Sequence, residues 1–305
     1  MAFGTVPLND GTEIPLIAYG TGSVWKFQDV VPYVEQALET GFSHIDTAAY
    51  YQTEEGVGIG IKESGLDRKS LYIATKFSGG DIQQEVRKSL TKLGLKYVDL
   101  YLIHSPRLVT GSLENAWKEL EKIKEDGLSK SIGVSNFEVE HLEQVVKTAK
   151  VVPAVNQINL HPYNYAEAVP VLEYCKKHGI IVEAYSSLTP ITKAPGGPVD
   201  APVSQAAQRR NATPAQVLQL WVLSKGAVIV TTSSKKERLL EYLSVADLPP
   251  LTKEEIAAID AAGALGPPGS SSIRALAARL RVRPWHTVAL GALLLIAGFQ
   301  RYYVQ

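Results

Sequence analysis

The chain has 305 residues, of which 45% are hydrophobic and 20% charged, a composition typical of globular proteins. This composition excludes disorder, collagen and coiled-coil structure for most of the chain. The 31 basic and 31 acidic residues balance, which argues against a globally basic protein and against a nucleic-acid partner.

This neutral balance hides an asymmetry along the chain. The last acidic residue is Asp260, and five arginines follow it: Arg274, Arg279, Arg281, Arg283 and Arg301. Residues 1–264 therefore have a net charge of −5, and residues 265–305 a net charge of +5. Such a difference predicts two parts with different roles.

The cysteine content and the N-terminal residues indicate the cellular compartment of the protein. The single cysteine, Cys175, can form neither an internal disulfide nor a Cys-based zinc cluster, which favours a reducing compartment. The first ten residues, MAFGTVPLND, contain neither a basic n-region nor an apolar h-region. We therefore expect a cytoplasmic protein without a secretory signal and without a bound metal.

Apolar runs alternate with helical stretches along residues 1–264. The eight runs are Leu16–Gly20, His44–Ala48, Tyr72–Lys76, Val98–His104, Ser131–Asn136, Ala154–Leu160, Ile180–Ser186 and Val228–Thr232. Their near-continuous hydrophobicity is typical of parallel strands buried on both faces. The stretches Ile82–Leu93, Leu113–Lys124 and Val139–Ala149 have the apolar spacing of amphipathic helices. The order predicts an α/β fold, a closed (β/α)8 TIM barrel, with a doubly wound open sheet as the alternative.

Two glycine-containing motifs lie outside these runs. Asp10-Gly11, within Gly4–Pro15, predicts an N-terminal β-hairpin that closes the bottom of the barrel. Gly56-Val-Gly58-Ile-Gly60 follows an acidic helix start rather than a strand. We therefore interpret it as helix–barrel packing and not as a dinucleotide-binding fingerprint.

Polar side chains stand where three consecutive predicted strands end. Asp46 and Tyr51 follow the second strand, Lys76 ends the third and His104 ends the fourth. The carboxyl ends of all barrel strands meet at one rim, so we expect these side chains to lie close together.

These four residue types together can polarise a carbonyl group. An ammonium beside a tyrosine stabilises the phenolate and lowers the tyrosine pKa from about 10. Lys76, held by Asp46, would make Tyr51 a general acid toward a carbonyl oxygen, and His104 would donate a hydrogen bond to the same oxygen. The remaining reactant is a nucleophile, and a hydride from a nicotinamide cofactor fits.

The same residues carry a family resemblance. Five segments resemble the aldo-keto reductase family, in particular its fungal-type NADPH-dependent reductases: Gly41-Phe-Ser-His-Ile-Asp46-Thr-Ala-Ala-Tyr-Tyr51, Ala74-Thr-Lys76, Leu102-Ile-His104, Gly133-Val-Ser-Asn136-Phe and Val155-Asn-Gln157. The resemblance covers roughly residues 5–262. It implies reduction of aldehydes or ketones with NADPH on a (β/α)8 barrel. It also implies a catalytic tetrad of Asp46, Tyr51, Lys76 and His104, with Tyr51 as the proton donor.

The resemblance further implies a set of cofactor-binding residues. These are Ser135, Asn136 and Gln157 at the nicotinamide carboxamide, Tyr185 on the nicotinamide ring with Ser186 beside it, Thr21 and Gly22 at the nicotinamide–ribose end, Ser233 and Arg238 at the adenosine 2′-phosphate, and Glu241 at the adenine amino group. Thr232 stands where the family commonly has Lys, and Lys235 or Lys236 are candidates to compensate. NADPH is favoured, and use of NADH stays open.

The substrate pocket departs from many relatives. Phe77-Ser78 follows Lys76, where many relatives have Trp beside the catalytic Lys. We expect Trp25 to form an aromatic wall, with Phe77 and His104 as further pocket residues. The expected substrate is a small carbonyl compound in a fairly open pocket.

Residues 265–305 differ in character from the barrel. Gly266-Pro267-Pro268-Gly269 begins a linker composition, and the apolar run Thr287–Phe299 would be about 20 Å long as a helix, short of a ~30 Å hydrocarbon core. Residues 285–304 would reach about 30 Å, but they include Arg301. The alternatives are a C-terminal membrane anchor on a cytoplasmic barrel, and a helix packed on the barrel or lying at a membrane interface.

Two other functions are alternatives to a reductase. One is a nucleotide-binding regulatory or membrane-associated subunit with the same barrel and little catalysis. The other is a phosphate-binding barrel isomerase, for which Ser186–Pro190 and Thr231–Lys236 lack the glycine-rich loop pattern.

Overall fold

A computed structural model describes residues 3–270 of the chain, and residues 1–2 and 271–305 lie outside the described part. Strands β1 (Thr5–Pro7) and β2 (Glu13–Pro15) form an antiparallel pair. In the loop between them Gly11 has φ +84°, a left-handed conformation that glycine adopts at little cost, and the Leu8 N–H bonds the Thr12 carbonyl at 2.8 Å. The predicted hairpin is therefore confirmed.

Eight parallel strands follow and close into a barrel. They are β3 (Ile17–Gly20), β4 (His44–Asp46), β5 (Tyr72–Phe77), β6 (Val98–Ile103), β7 (Ser129–Ser135), β8 (Val155–Asn159), β9 (Ile181–Tyr185) and β10 (Ala227–Thr231). Each strand pairs with the next one along the chain, and β10 returns to pair with β3. The closed (β/α)8 barrel is thus confirmed, and the open sheet is excluded.

Eleven α-helices connect the strands or surround the barrel in the described residues. They are α1 (Val31–Thr40), α2 (Glu54–Glu63), α3 (Ile82–Leu93), α4 (Leu113–Glu125), α5 (Val139–Thr148), α6 (Tyr165–Lys177), α7 (Thr189–Thr192), α8 (Asp200–Arg210), α9 (Pro214–Ser224), α10 (Lys236–Leu243) and α11 (Lys253–Gly263). Local capping fixes several of their starts. The Thr213 side chain, for example, accepts from the Gln216 N–H, while Gln216 Oε1 accepts from the Thr213 N–H.

The apolar residues form two cores, one on each side of the barrel wall. The larger core lies between the strands and the helices. The smaller one fills the lower barrel interior, where Leu8 and Ile14 of the hairpin pack with Leu100, Leu102 and Val228. The hairpin therefore closes the bottom, and the functional groups are left to the opposite rim.

The three glycines of α2 permit close helix contacts. A Cβ at Gly56 would lie 2.9 Å from a side-chain carbon of Val30, which precedes α1, and a Cβ at Gly60 would lie 2.9 Å from one of Val34 within α1. A Cβ at Gly58 would lie 2.6 Å from the Leu93 carbonyl oxygen at the end of α3. The predicted packing role agrees with this geometry, but the glycines pack against neighbouring helices rather than against the barrel strands.

The chain beyond α11 is described only to Ser270. The Pro268 ring packs against Gly197, and the Ser270 hydroxyl donates to the Leu265 carbonyl at 3.2 Å. The predicted linker thus starts against the barrel. The basic segment and the predicted anchor, residues 285–304, lie outside the described residues. Between residues 3 and 270, no helix is long and apolar enough to cross a membrane.

Candidate active site

A buried ion pair lies at the upper end of the barrel interior. Lys76 extends from β5, and its Nζ donates to both carboxylate oxygens of Asp46 on β4 at 2.7 Å and to the Thr47 carbonyl at 2.9 Å. Burial disfavours the ammonium, yet Asp46 and Tyr51 together raise the Lys76 pKa. Lys76 is therefore a fixed positive charge, because all three of its donors have partners.

Tyr51 and His104 meet above this pair. The Tyr51 Oη lies 3.4 Å from His104 Nε2, and the Lys76 ammonium lies 5.3 Å from the centre of the Tyr51 ring. A Cβ on Gly22 would come within 2.9 Å of the Tyr51 ring, so Gly22 leaves the space that the phenol occupies. The structure brings the four predicted tetrad residues together.

Burial sets the protonation states of His104 and Tyr51. It is the largest cause that lowers the His104 pKa to about 3, with the Lys76 charge second, so the imidazole is neutral at neutral pH. Burial also raises the Tyr51 pKa, and the opposing charge of Lys76 only reduces that rise. The expected net lowering of the Tyr51 pKa is therefore wrong, because desolvation of the phenolate outweighs the ammonium.

A second wall comes from strands β7 to β9. The Tyr185 hydroxyl donates to Asn136 Oδ1 at 2.7 Å, and the Asn136 amide donates to the His104 carbonyl at 2.9 Å. Gln157 Nε2 donates to Asp46 Oδ2 at 2.9 Å and to Glu183 Oε2 at 3.0 Å. These bonds tie the tetrad to the opposite side of the rim and fix the orientation of the amides.

A cavity of about 620 Å³ extends from the tetrad to the start of α10. Ten predicted site residues line it: Gly22, Asp46, Tyr51, His104, Ser135, Asn136, Gln157, Tyr185, Ser186 and Arg238. This volume is in the range of cavities that hold a cofactor or a drug-sized ligand.

Three predicted cofactor residues do not line this cavity. The Thr21 side chain is buried and bonds the hydroxyls of Thr47 at 2.9 Å and Thr53 at 3.0 Å, so only its neighbours reach the cavity. Ser233 Oγ accepts from the Lys235 N–H at 3.0 Å, and Glu241 accepts from the Thr213 hydroxyl at 2.5 Å. In this structure all three stabilise the loops and helices around the site.

The two predicted apolar pocket residues, Trp25 and Phe77, do not line this cavity either. Phe77 is fully buried between barrel and helices, because side chains alternate along β5 and Lys76 takes the inward position. Trp25 stacks on Tyr33 with ring centres 4.0 Å apart, and its indole N–H donates to Thr232 Oγ1 at 2.9 Å. Of the three residues expected in the pocket, only His104 lines it.

Exposed apolar residues lie beside the cavity, and Val24 among them lines it. Val24, Phe27 and Tyr50 are exposed by 62%, 59% and 54%, and the Phe27 and Tyr50 rings meet edge-on with centres 6.0 Å apart. Lys26 lies among them and lines the cavity. Sequence reasoning missed this set, although all but Tyr50 lie in the loop after the first barrel strand, a position that typically forms the active-site face.

The family model of the aldo/keto reductase family matches residues 1–194. A glyoxal reductase of Bacillus subtilis is 40% identical over 263 residues, 84% of this chain and 92% of that protein. An NAD/NADP-dependent indole-3-acetaldehyde reductase of Schizosaccharomyces pombe is 38% identical over 246 residues, 77% of this chain and 87% of that protein.

A solved structure agrees with these relatives. A Bombyx mori aldo-keto reductase in complex with NADP superposes with a TM-score of 0.78 at 33% identity, over 85% of this chain and 92% of that one. Barrel, site geometry and sequence similarity thus agree, and the chain belongs to the aldo/keto reductase family.

Proposed function

We propose that the protein reduces aldehydes or ketones to alcohols with NADPH, with Tyr51 as the proton donor. The observation that carries the proposal is the placement of the Tyr51 hydroxyl 3.4 Å from neutral His104, with the fixed charge of Lys76 beneath the phenol ring. A carbonyl oxygen seated between these two groups can accept a hydrogen bond from each.

Tyr51 holds the proton that the product alcohol requires. Its raised pKa keeps the phenol protonated at neutral pH. As the carbonyl oxygen gains negative charge, the phenol proton passes from Oη to that oxygen, and the Lys76 ammonium stabilises the phenolate left behind. Asp46 holds Lys76 in place with two hydrogen bonds of 2.7 Å.

His104 orients the substrate rather than supplying a proton. Because its pKa is lowered to about 3, it is a neutral imidazole that can donate one hydrogen bond. Ser78 Oγ lies 3.3 Å from Nδ1. When the Ser78 hydroxyl donates to Nδ1, the proton of the imidazole is on Nε2 and faces the carbonyl oxygen.

The cavity fits a nicotinamide dinucleotide. Amide and hydroxyl groups of Ser135, Asn136 and Gln157 lie at the tetrad end, the Tyr185 side chain lies beside them, and Arg238 supplies a positive charge at the far end. NADPH, when bound there, supplies the hydride. The relatives named NAD/NADP-dependent and solved with NADP support this cofactor.

The names of the relatives point to small aldehydes and dicarbonyls as substrates. These relatives include the glyoxal reductase of Bacillus subtilis. They also include a methylglyoxal reductase of Yersinia pestis, which is 38% identical over 271 residues. The regulatory-subunit alternative has less support, because the four catalytic groups are assembled and hydrogen-bonded.

Replacing Tyr51 tests the proton donor. We expect Tyr51→Phe to lower turnover of a small aldehyde by about 10²–10⁴-fold, because general acid catalysis contributes on that order. Affinity for NADPH, followed by protein fluorescence, should stay nearly unchanged. Tyr174→Phe, on α6 far from the cavity, is the matched control and should retain turnover. Wild-type rates in Tyr51→Phe would refute the assignment.

The two-part organisation is also a proposal. We propose that residues 265–305 attach a cytoplasmic barrel, residues 1–264, to a membrane through residues 285–304, on the strength of the +5 charge and the apolar run. Carbonate extraction of the full chain, beside a chain that ends at Ser270, tests it. Both proteins contain residues 265–270, because Pro268 packs on the barrel. Release of the full chain by carbonate would refute the anchor.

A further inference from the structure

Lys26 places a positive charge at the mouth of the cavity, next to the catalytic tyrosine. Its Nζ lies 5.2 Å from the centre of the Tyr50 ring and 5.3 Å from that of the Tyr51 ring. The side chain is half-buried and lines the same cavity as Tyr51 and His104. Its charge is also among the causes that lower the His104 pKa, after burial and Lys76. The ammonium is thus within electrostatic reach of the reacting groups.

This charge is not neutralised by the protein around it. Among residues 3–270, no carboxylate forms an ion pair with Lys26, and its ammonium lies over two aromatic rings. Asp46 is the one acidic residue on the cavity wall, and Lys76 already pairs with it. A cation that is partly removed from water and unpaired attracts an anion when a ligand provides one.

The 2′-phosphate of the cofactor does not account for this charge. Two other basic residues, Lys193 and Arg238, line the cavity, and Arg238 lies with Thr231 and Thr232 at the end proposed for the 2′-phosphate. Lys26 lies at the other end, beside Tyr51 and His104, where the carbonyl group reacts. An anionic group that contacts Lys26 is therefore expected to belong to the substrate.

The surroundings of Lys26 indicate the rest of the ligand. Val24, Phe27 and Tyr50 form an exposed apolar rim around it, which suits an apolar or aromatic body. Among the described residues, Lys26 is the one lysine or arginine of the cavity lining that lies over the Tyr51 ring. One ammonium between aromatic rings matches a carboxylate of one negative charge better than a phosphate, which typically uses several donors.

We propose that Lys26 binds a carboxylate of the carbonyl substrate, so that the enzyme prefers aldehydes and ketones that carry a carboxylate on an apolar or aromatic body. This inference rests on the proposed reductase function. It names the substrate class, and it assigns to Lys26 a role in specificity and not in the chemical step.

The test compares two substrates of nearly equal shape, 4-formylbenzoate and its neutral methyl ester. For the wild type we expect a lower KM for the carboxylate, and this advantage should shrink as salt is added, because salt screens the attraction. Lys26→Met keeps the aliphatic stem and removes the charge. It should raise the KM of the carboxylate about 10-fold, as expected for loss of a charge-assisted hydrogen bond, with kcat unchanged. Lys26→Arg keeps the charge and should restore most of the KM difference between the carboxylate and the ester.

The ester separates this inference from the reductase proposal. If wild type and Lys26→Met both reduce the ester at the same rate, the reductase activity and the fold are intact, and the carboxylate data decide the role of Lys26. Equal KM values for both substrates in wild type, or an unchanged carboxylate KM in Lys26→Met, would overturn the inference. A fall in kcat for both substrates would also overturn it, since Lys26 would then act on Tyr51. Failure of the wild type to reduce any aldehyde would refute the reductase function itself.

Discussion

At the scale of single residues, Tyr51 shows two electrostatic effects in opposition. Burial penalises the phenolate and raises the Tyr51 pKa, while the Lys76 ammonium favours the phenolate. The net rise keeps the phenol protonated in the resting protein, so Lys76 does not ionise Tyr51 there. In the proposed mechanism Lys76 contributes mainly while the phenolate exists.

Arg238 is the residue on which the cofactor preference should depend. It lies in the first turn of α10, lines the cavity, and has no ion-pair partner among the described residues. We expect Arg238→Ala to raise the KM for NADPH about 10-fold or more, because a charge-assisted contact to phosphate is lost. The KM for NADH should change little.

Lys236→Ala is the matched control for Arg238→Ala. Lys236 also belongs to α10, but its Nζ pairs with Glu39 at 3.3 Å on the surface. Lys236 does not line the cavity, so its loss should leave both KM values nearly unchanged. Equal effects of Arg238→Ala on NADPH and NADH would contradict the phosphate assignment.

At the scale of elements, α2 shows how glycine spacing sets helix contacts. Its three glycines face α1 and the C-terminal end of α3, where the backbone of Leu93 approaches within 2.6 Å of a Cβ position at Gly58. Glycine normally weakens a helix by about 1 kcal/mol relative to alanine. Here the close approach of another backbone explains why glycine is needed.

Gly58→Ala tests this contact. We expect a loss of about 1–2 kcal/mol in the free energy of unfolding, because overpacking typically costs 1–3 kcal/mol and exceeds the gain in helix propensity. Gly56→Ala should lose less, since its neighbour is a Val30 methyl that can move rather than a backbone carbonyl. Urea denaturation measures both, and a Gly58→Ala protein more stable than the parent would contradict the packing assignment.

At the scale of the whole molecule, several ionisable groups are buried away from water. Burial lowers the pKa of His44 and His161 to about 4 and of His104 to about 3, from 6.5. Burial, with the charge of Asp46 next, raises the pKa of Glu183, whose Oε1 lies 3.8 Å from His44 Nε2. The interior thus favours neutral forms of these groups, and the folding equilibrium depends on pH.

We expect the protein to lose stability as the pH falls from 7 to 5. Below pH 6.5 the unfolded chain takes up protons on the three histidines before the folded protein does, so protonation favours unfolding. Glu183 has the opposite sign, because the folded state holds its proton more tightly, and it offsets only part of the effect of the three histidines.

The urea midpoint at the two pH values measures this dependence. His44→Phe removes a fully buried histidine and should reduce the difference in urea midpoint between pH 7 and pH 5. A midpoint that is equal or higher at pH 5 in the parent protein would show that the histidines are not held neutral by burial.

The amino-acid sequence alone determined the order of strands and helices and which polar residues stand at the strand ends. It could do so because strand and helix periods are local and because Asp46, Lys76 and His104 interrupt apolar runs. The side-chain directions of Trp25, Phe77 and Thr21, and the charge environment of Tyr51, were decided only by the tertiary structure. Barrel closure brings β3 beside β10, so that Trp25 reaches Thr232. Pairing of β3 with β4 brings Lys26 over Tyr51. Such neighbours, like the burial that shifts a pKa, come from contacts between separate parts of the chain.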